Sequence, residues 1–174
     1  IRDYDVNKAY QYALNNATRS WVNGKRGGRK YGDEYRRQGW VAENRVANPT
    51  VKTEENEAKA SVQKTVEYAY SDYAVAQMAN ALGDKESYQV LMERSKNYRN
   101  LFDKSTGFLR ARWEDGSWVT PYDPGIPYYV YMYRESNGWM STFFAPQDPE
   151  GLIALYPNKA EFEAKLDAVF STPF

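Results

Sequence analysis

Apolar residues recur every three or four positions between residues 61 and 82, which is the spacing of an α-helix with one buried face. Gly83 follows where a helix commonly ends, and Asp84 is placed to cap a second helix over residues 85–102. The pattern therefore predicts two packed antiparallel helices joined by a tight turn. The apolar stripe of the first helix consists of Val62, Val66, Ala69, Tyr73, Ala76 and Ala79.

Three further segments carry helix signals. Residues 5–18 place their apolar side chains on one helical face, and the segment "GWMSTFF" precedes Pro146, which would end a helix. Asp148 before a proline is a good helix start, and Asn158 with an acid three residues later predicts a capped final helix from Lys159. The apolar face of that last helix would be formed by Phe162, Leu166, Val169 and Phe170.

One segment has the pattern of a β-hairpin. Extended runs flank a "DG" turn across residues 107–119, and Pro121 and Pro124 stop the second run. The fold class predicted from these patterns is mainly α, with helical hairpins, one small β-hairpin and long connections. Long loops at one end of paired helices suggest a toroid of helical hairpins whose function lies in the loops.

Composition narrows the chemistry that this chain can perform. The 174 residues fit one domain, and 23 basic against 23 acidic side chains leave no net charge to attract nucleic acid. No apolar run approaches the length of about 20 residues that a membrane span needs. The chain has no Cys and no His, which excludes disulfides, thiolate metal sites and His-based triads within it. Acid–base chemistry therefore falls to Asp, Glu, Tyr or Lys.

The aromatic content is high, at 16% with 16 Tyr and 5 Trp. These rings could form a Tyr-rich core and surface, or they could line a cleft and stack on sugar rings. In "YMYRESNGWM", residues 131–140, Glu135 stands among Tyr131, Tyr133 and Trp139. If these rings limited its solvation they would favour its protonated form, as a catalytic acid requires. The pattern makes Glu135 a candidate acid.

Four ordered segments resemble glycoside hydrolase family 92, whose members are calcium-dependent exo-acting α-mannosidases. The resemblance implies an (α/α)6 toroid, inversion of anomeric configuration, mannose-containing N-glycans or yeast mannan as substrates, and a secreted, periplasmic or cell-surface location, in a bacterium. It runs from the "IRDYDVNKAY" start to "AKLDAVF". The segments are "SVQKTVEYAYSDYAVAQMANALG" (61–83), "RSKNYRNLFDKSTGFLRAR" (94–112), "DGSWVTPYDP" (115–124) and "RESNGWMSTFFAPQDPEGLIAL" (134–155).

The resemblance also implies a role for Glu135. In the family a stretch similar to Thr-Glu-Gly-Asn-x-Trp carries the general acid, and here residues 134–139 have the sequence Arg-Glu-Ser-Asn-Gly-Trp. Glu135 is therefore the expected acid, and Asn137 and Trp139 are expected to bind the substrate. An inverting glycosidase also needs a carboxylate roughly 6.5–9.5 Å away to activate water.

The chain departs from the family pattern in several places. Arg134 and Ser136 flank the acid where Thr and Gly are usual, and Gln147 stands where many members have His. The family's Gly-Asn-Glu-Pro-Ser-His-His segment and a later Asp-rich segment do not occur in this sequence. The resemblance places the calcium ligands and the general base there. Residues 1–174 are accordingly expected to be a single module, a fragment that is inactive alone and whose partner is the remainder of the catalytic domain.

Glu67 is a further candidate site residue. It lies on the predicted helix over residues 61–82, where a solvated surface acid and a carboxylate that binds sugar hydroxyls are both plausible. Glu67 is also the reserve candidate for the acid. No metal ligand is predicted within the chain.

Two other functions fit the same sequence features. Another (α/α)6 glycosidase, such as a glucosidase or trehalase relative, would share the toroid but not the residues around Glu135. A non-catalytic helical module that binds glycans would need neither the acid nor the base. Release of mannose rather than glucose from aryl glycosides would separate the two enzymes.

Overall fold

Helices dominate the computed structural model, which describes residues 3–19, 28–44, 59–126 and 132–172. The prediction of a mainly α fold is confirmed. The elements in chain order are α1 (Val6–Thr18), α2 (Gly32–Gln38), α3 (Ser61–Ala81), α4 (Lys85–Arg94), a 3₁₀-helix (Asn97–Leu101), β1 (Phe102–Asp103), β2 (Phe108–Leu109), α5 (Gly138–Ser141), α6 (Pro149–Ile153) and α7 (Lys159–Ser171).

Helix α3 is the central element, and it packs against α1, α4 and the 3₁₀-helix. The predicted hairpin of α3 and α4 is confirmed. Gly83 adopts φ +80° in the turn, and the Asp84 side chain accepts a hydrogen bond from Ser87 N at 3.0 Å to cap α4. Asp84 also accepts a hydrogen bond from Tyr10 Oη at 2.7 Å, which ties α1 to the same turn.

The second helix ends earlier than the apolar pattern predicts. Helix α4 stops at Arg94 instead of running to residue 102, and the chain continues as the 3₁₀-helix. The Ser95 hydroxyl donates to Met92 O at 2.7 Å, a local bond of the kind that competes with continued α-helix. In the tighter helix Tyr98 is fully buried and its hydroxyl donates to the Asp148 carboxylate at 2.9 Å.

The predicted β-hairpin is confirmed, but its regular ladder lies earlier in the chain. Strands β1 and β2 pair antiparallel, with Phe102 opposite Leu109. The "DG" turn is framed by one isolated bridge between Arg112 and Trp118, with Val119 N donating to Ala111 O at 3.0 Å. The two turns together form the small β-element.

The C-terminal helices begin where their capping residues predict. Asp148 accepts from Gly151 N at 3.1 Å to start α6, and Asn158 accepts from Glu161 N at 2.9 Å to start α7. Helix α5 is shorter than "GWMSTFF", with four residues. Helix α7 has no buried residue, and Phe170 is 85% exposed. Its predicted apolar face is therefore only partly covered within the described residues.

A buried ionic cluster joins α3 to the segment before α2 and to α4. The Asp72 side chain is fully buried, with Arg29 Nη1 at 2.6 Å and Arg94 Nη2 at 2.7 Å from its Oδ1 atom. Its other oxygen accepts from Arg94 Nε at 2.8 Å and from the Tyr35 hydroxyl at 3.2 Å. Burial and then the charge of Asp72 raise the pKa of Tyr35, so the phenol stays a neutral donor.

We expect Asp72→Asn to lower the free energy of unfolding by about 3–5 kcal/mol, because two arginines would keep their charges without the buried carboxylate. Urea denaturation measures the change. Glu93→Gln is the matched control, since Glu93 pairs with Lys96 at 3.3 Å on the exposed surface and such pairs contribute about 0–1 kcal/mol. Equal losses in the two variants would show that the buried cluster contributes no more to the free energy of unfolding than an exposed ion pair does.

Candidate functional site

Three strained backbone positions meet at the N-terminal end of α3. Among the described residues other than glycine, positive φ angles occur at Tyr31 (63°), Ala60 (49°) and Glu135 (52°). Ala60 directly precedes α3, and the Tyr31 ring centroid lies 4.4 Å from Lys59 Nζ beside it. The segment that carries Glu135 reaches the same place, because Val62 N donates to Met132 O at 3.1 Å. Such strain is characteristic of functional sites and makes this end of α3 the candidate site.

Glu135 is exposed in this structure, so the expectation that aromatic rings limit its solvation is wrong for the described residues. Tyr133 is buried, and its hydroxyl donates to Leu109 O at 2.6 Å. The Trp139 ring packs edge-to-face on Phe108 with centroids 4.8 Å apart. Both rings therefore contribute to the packing around β2. Tyr131 lies outside the described residues.

Asn137 and Trp139 lie at the start of α5, beside the Glu135 segment. Asn137 is 5% exposed, and its side-chain oxygen accepts from Met140 N at 3.1 Å, which caps α5. Trp139 is half-buried, and Lys165 Nζ of α7 lies 5.0 Å from its ring centroid. Their predicted substrate contacts stay predictions, and the capping role of Asn137 explains its burial independently.

Glu67 is exposed on α3, and its carboxylate accepts from Gln63 Nε2 at 2.8 Å. The Gln63 amide oxygen in turn accepts from the Ser141 hydroxyl of α5 at 3.1 Å. The structure therefore places Glu67 on the side of α3 that faces α5 and the segment with Glu135. Binding of sugar by Glu67 stays a prediction.

Glu43 is an acid at this site that the sequence patterns did not single out. It is 8% exposed, and its carboxylate accepts from the Ser61 hydroxyl at 2.8 Å and from Asn44 N at 3.0 Å. Burial raises the pKa of Glu43, although these hydrogen bonds oppose the shift. Ala60 offers no side-chain cap, and the Glu43 carboxylate lies at the first residue of α3 through its hydrogen bond with the Ser61 hydroxyl. Only its place after the apolar pair Val41–Ala42 hints at this burial.

Lys64 lies at the same end of α3, and its ammonium group has a lowered pKa. Burial lowers the pKa of Lys64 to about 8, and the positive charges of Arg134 and Lys30 act in the same direction, against Glu43 and Glu67. Its ammonium group donates to Lys59 O. The site thus combines the exposed carboxyls of Glu135 and Glu67, the buried carboxyl of Glu43 and an ammonium group with a lowered pKa. Such groups can exchange protons and bind hydroxyl groups.

The described residues contain no group of three or more His, Cys, Asp or Glu side chains that could hold a metal ion. A cavity of about 420 Å³ lies elsewhere, between the turn at 104–107 and α7, and Tyr156 and Lys165 line it. In the part of the chain that the structure describes, no helix has the length and apolar character needed to cross a membrane.

Comparison with known proteins gives a consistent result. The model of the glycosyl hydrolase family 92 catalytic domain matches residues 1–174. The family GH92 α-mannosidase BT3965 from Bacteroides thetaiotaomicron is 29% identical, with a TM-score of 0.81 over 100% of this chain and 20% of that chain. Its complex with mannoimidazole gives 28% identity and a TM-score of 0.82, over 100% of this chain and 21% of that one.

Two other relatives extend the comparison. The family GH92 inverting mannosidase BT2199 from Bacteroides thetaiotaomicron VPI-5482 is 25% identical, with a TM-score of 0.76 over 95% of this chain and 21% of that chain. An uncharacterized secreted glycosidase from Arthroderma benhamiae is 31% identical over an alignment of 129 residues that covers 62% of this chain and 16% of that protein. The chain therefore spans about a fifth or less of each relative's length.

We expect the site to impose a measurable pH dependence through Lys64. Between pH 8 and 10.5 the unfolded chain keeps the Lys64 proton and the folded chain releases it, so the free energy of unfolding rises with pH in that window. Below pH 8 both states are protonated and the cost of the buried charge is fully present. Urea denaturation of the wild type and of Lys64→Met across this range measures the effect, since the variant lacks the contribution of Lys64 to the rise and keeps that of Lys165, whose pKa burial also lowers.

Arg134→Gln is the companion variant for this measurement. It keeps Lys64 but removes a neighbouring positive charge, so the pKa of Lys64 should move toward 10.5 and the rise should become smaller. Parallel stability curves for the wild type and Lys64→Met would contradict the shift. If the free energy of unfolding of Arg134→Gln rises with pH as much as that of the wild type, Arg134 is not a cause of the lowered pKa of Lys64.

Proposed function

The chain belongs to glycosyl hydrolase family 92, and on that premise we propose that it forms part of an inverting exo-α-mannosidase with Glu135 as the general acid. The observation that carries the proposal is the match of the family's catalytic domain along residues 1–174. Structural likeness to two mannosidases supports mannose as the sugar. It favours this activity over that of a glucosidase or trehalase relative.

Glu135 would protonate the glycosidic oxygen as the bond to the leaving sugar breaks. Because Glu135 is exposed, a substrate can reach its carboxyl group. Its backbone has a left-handed conformation, so its side chain leaves the backbone in a different direction than it would in an extended segment. The water that attacks the anomeric carbon needs a carboxylate on the opposite face of the sugar. We propose that this general base lies outside the present sequence, as the family resemblance implies.

The remaining predicted residues would hold the substrate. Glu67 offers carboxylate oxygens to sugar hydroxyls, and the half-buried Trp139 offers an aromatic ring for an apolar sugar face. Asn137 would act mainly by fixing the start of α5, because its side-chain oxygen already caps that helix. These roles place the substrate between the N-terminal half of α3 and α5.

We also propose calcium as a cofactor of the enzyme, bound by ligands outside this chain. The described residues do not gather a ligand set that fits the ion. The proposed substrates are mannose-containing glycans, and the proposed location is secreted, periplasmic or cell-surface, in a bacterium. A secreted glycosidase among the relatives supports export.

We expect Glu135→Gln, made in the enzyme that carries this chain, to lower kcat about 10²–10⁴-fold on an unactivated mannobiose. The variant keeps the side chain's shape but has no proton to transfer. An aryl mannoside needs little protonation of its leaving group, so its loss should be much smaller. Steady-state kinetics on both substrates provide the test. Equal losses would mean that Glu135 only holds the sugar, and Glu67 would become the next candidate acid.

The purified 174-residue chain should not hydrolyse α-mannosides at a useful rate, because a general acid without an activated water leaves the inverting displacement incomplete. Mannose release by this chain, followed by a coupled assay, is the measurement. Its Glu135→Gln variant is the control for contaminating activity. Release that the variant abolishes would show that the general base is present among these residues.

A further inference from the structure

A chain of side-chain hydrogen bonds connects α3 and α5 to the residue after Glu135. The Ser136 and Ser141 hydroxyl oxygens are 2.6 Å apart, and Ser141 donates to Gln63 Oε1 at 3.1 Å. Gln63 Nε2 then donates to Glu67 Oε1 at 2.8 Å. Four polar side chains from two parts of the sequence thus form one continuous network, Ser136–Ser141–Gln63–Glu67.

The donors of this network all point in one direction. A serine hydroxyl carries a single proton, and that of Ser141 is used on Gln63. The Ser136 hydroxyl can donate to Asn137 O at 3.4 Å or to Ser141 at 2.6 Å, and the much shorter contact with Ser141, whose own proton is already used, is the stronger of the two. The network ends at the Glu67 carboxylate, which only accepts when ionised. Hydrogen bonds aligned in this way polarise and strengthen one another, most of all where the last acceptor is charged.

The network ends beside a residue in a costly conformation. Glu135 has φ +52°, which costs a non-glycine residue of order 1–3 kcal/mol and persists only when its surroundings enforce it. Ser141 is 2% exposed and belongs to α5, so it provides a buried anchor for the Ser136 hydroxyl. Gln63 lies in the first turn of α3, the central helix of the fold.

We propose that Ser136, Ser141 and Gln63 are positioning residues that hold the Glu135 segment in its left-handed conformation, with the Glu67 carboxylate as the terminal acceptor. Glu67 then acts on catalysis through the network in addition to any contact with sugar. The inference rests on the proposed function, because it assigns these residues to the placement of the general acid. Misplacing an acid by a fraction of an ångström reduces proton transfer without preventing substrate binding.

The test uses Ser141→Ala and Ser136→Ala in the enzyme that carries this chain. Loss of one such bond should lower kcat on mannobiose about three- to tenfold, leave KM nearly unchanged, and lower kcat on an aryl mannoside less than about twofold. The double variant should lose little more than Ser141→Ala alone, since the residues act as one unit. Ser117→Ala is the matched control, because its hydroxyl makes a bond of 2.6 Å to Asp115 in the "DG" turn.

A crystal structure of Ser141→Ala gives a second measurement that does not depend on activity. We expect the φ angle of Glu135 to leave the left-handed region. The inference is overturned if Glu135 keeps its conformation, or if either variant slows both substrates equally or behaves as Ser117→Ala does. These results leave the proposed function intact as long as Glu135→Gln still distinguishes the two substrates. If Glu135→Gln does not distinguish them, the proposed function fails and this inference fails with it.

Discussion

The ion cluster around Asp72 is the constraint on which the arrangement of the helices depends. A fully buried carboxylate needs cationic partners, and Arg29 and Arg94 come from segments on opposite sides of α3 in the sequence. Arg94 also donates to Ala17 O at 2.8 Å, which includes the end of α1 in the same cluster. Replacing such a cluster by apolar side chains often leaves the free energy of unfolding unchanged. We therefore expect its main effect here to be on specificity, by favouring one arrangement of the four segments over others.

That arrangement determines which residues from other segments lie at the first turn of α3. With α3 fixed at Asp72, its N-terminal end lies beside Glu43, Met132 and the Tyr31 ring. The unpaired amides of a helix start favour negative charge, and Glu43 supplies it from a distant part of the sequence. The strain at Ala60 and Glu135 is then maintained by the surrounding packed segments. A buried ionic constraint in the middle of α3 and an exposed carboxyl near its start thus belong to one structural unit.

The sequence predicted the elements whose signals are local. The apolar stripe of α3 and the capping residues Asp84, Asp148 and Asn158 each depend on neighbours within one or two turns, and the structure confirms the caps and buries every member of the stripe except Tyr73, which is partly exposed. The contacts of Asp72 and Glu43 could not be predicted, because their partners come from distant segments. The early end of α4 was missed because Tyr98 is buried in a 3₁₀-helix as readily as in an α-helix. The role of Glu135 as the acid stays a prediction from its motif, and its exposure follows from tertiary packing that the motif does not encode.

Helix α7 shows what the partial coverage of its apolar face means for dynamics. Its attachments are peripheral: Lys165 Nζ donates to Thr106 O at 3.0 Å and lies 3.4 Å from the Phe108 ring centroid, and Phe162 packs edge-to-face on Tyr156. Few buried contacts mean a low free energy of local opening, so amide protons of α7 should exchange with solvent far sooner than those of α3. Because Lys165 also faces Trp139, each opening changes the surroundings of that indole. In a variant that keeps Trp139 and replaces the other four tryptophans, indole fluorescence can therefore report the population in which this helix is detached.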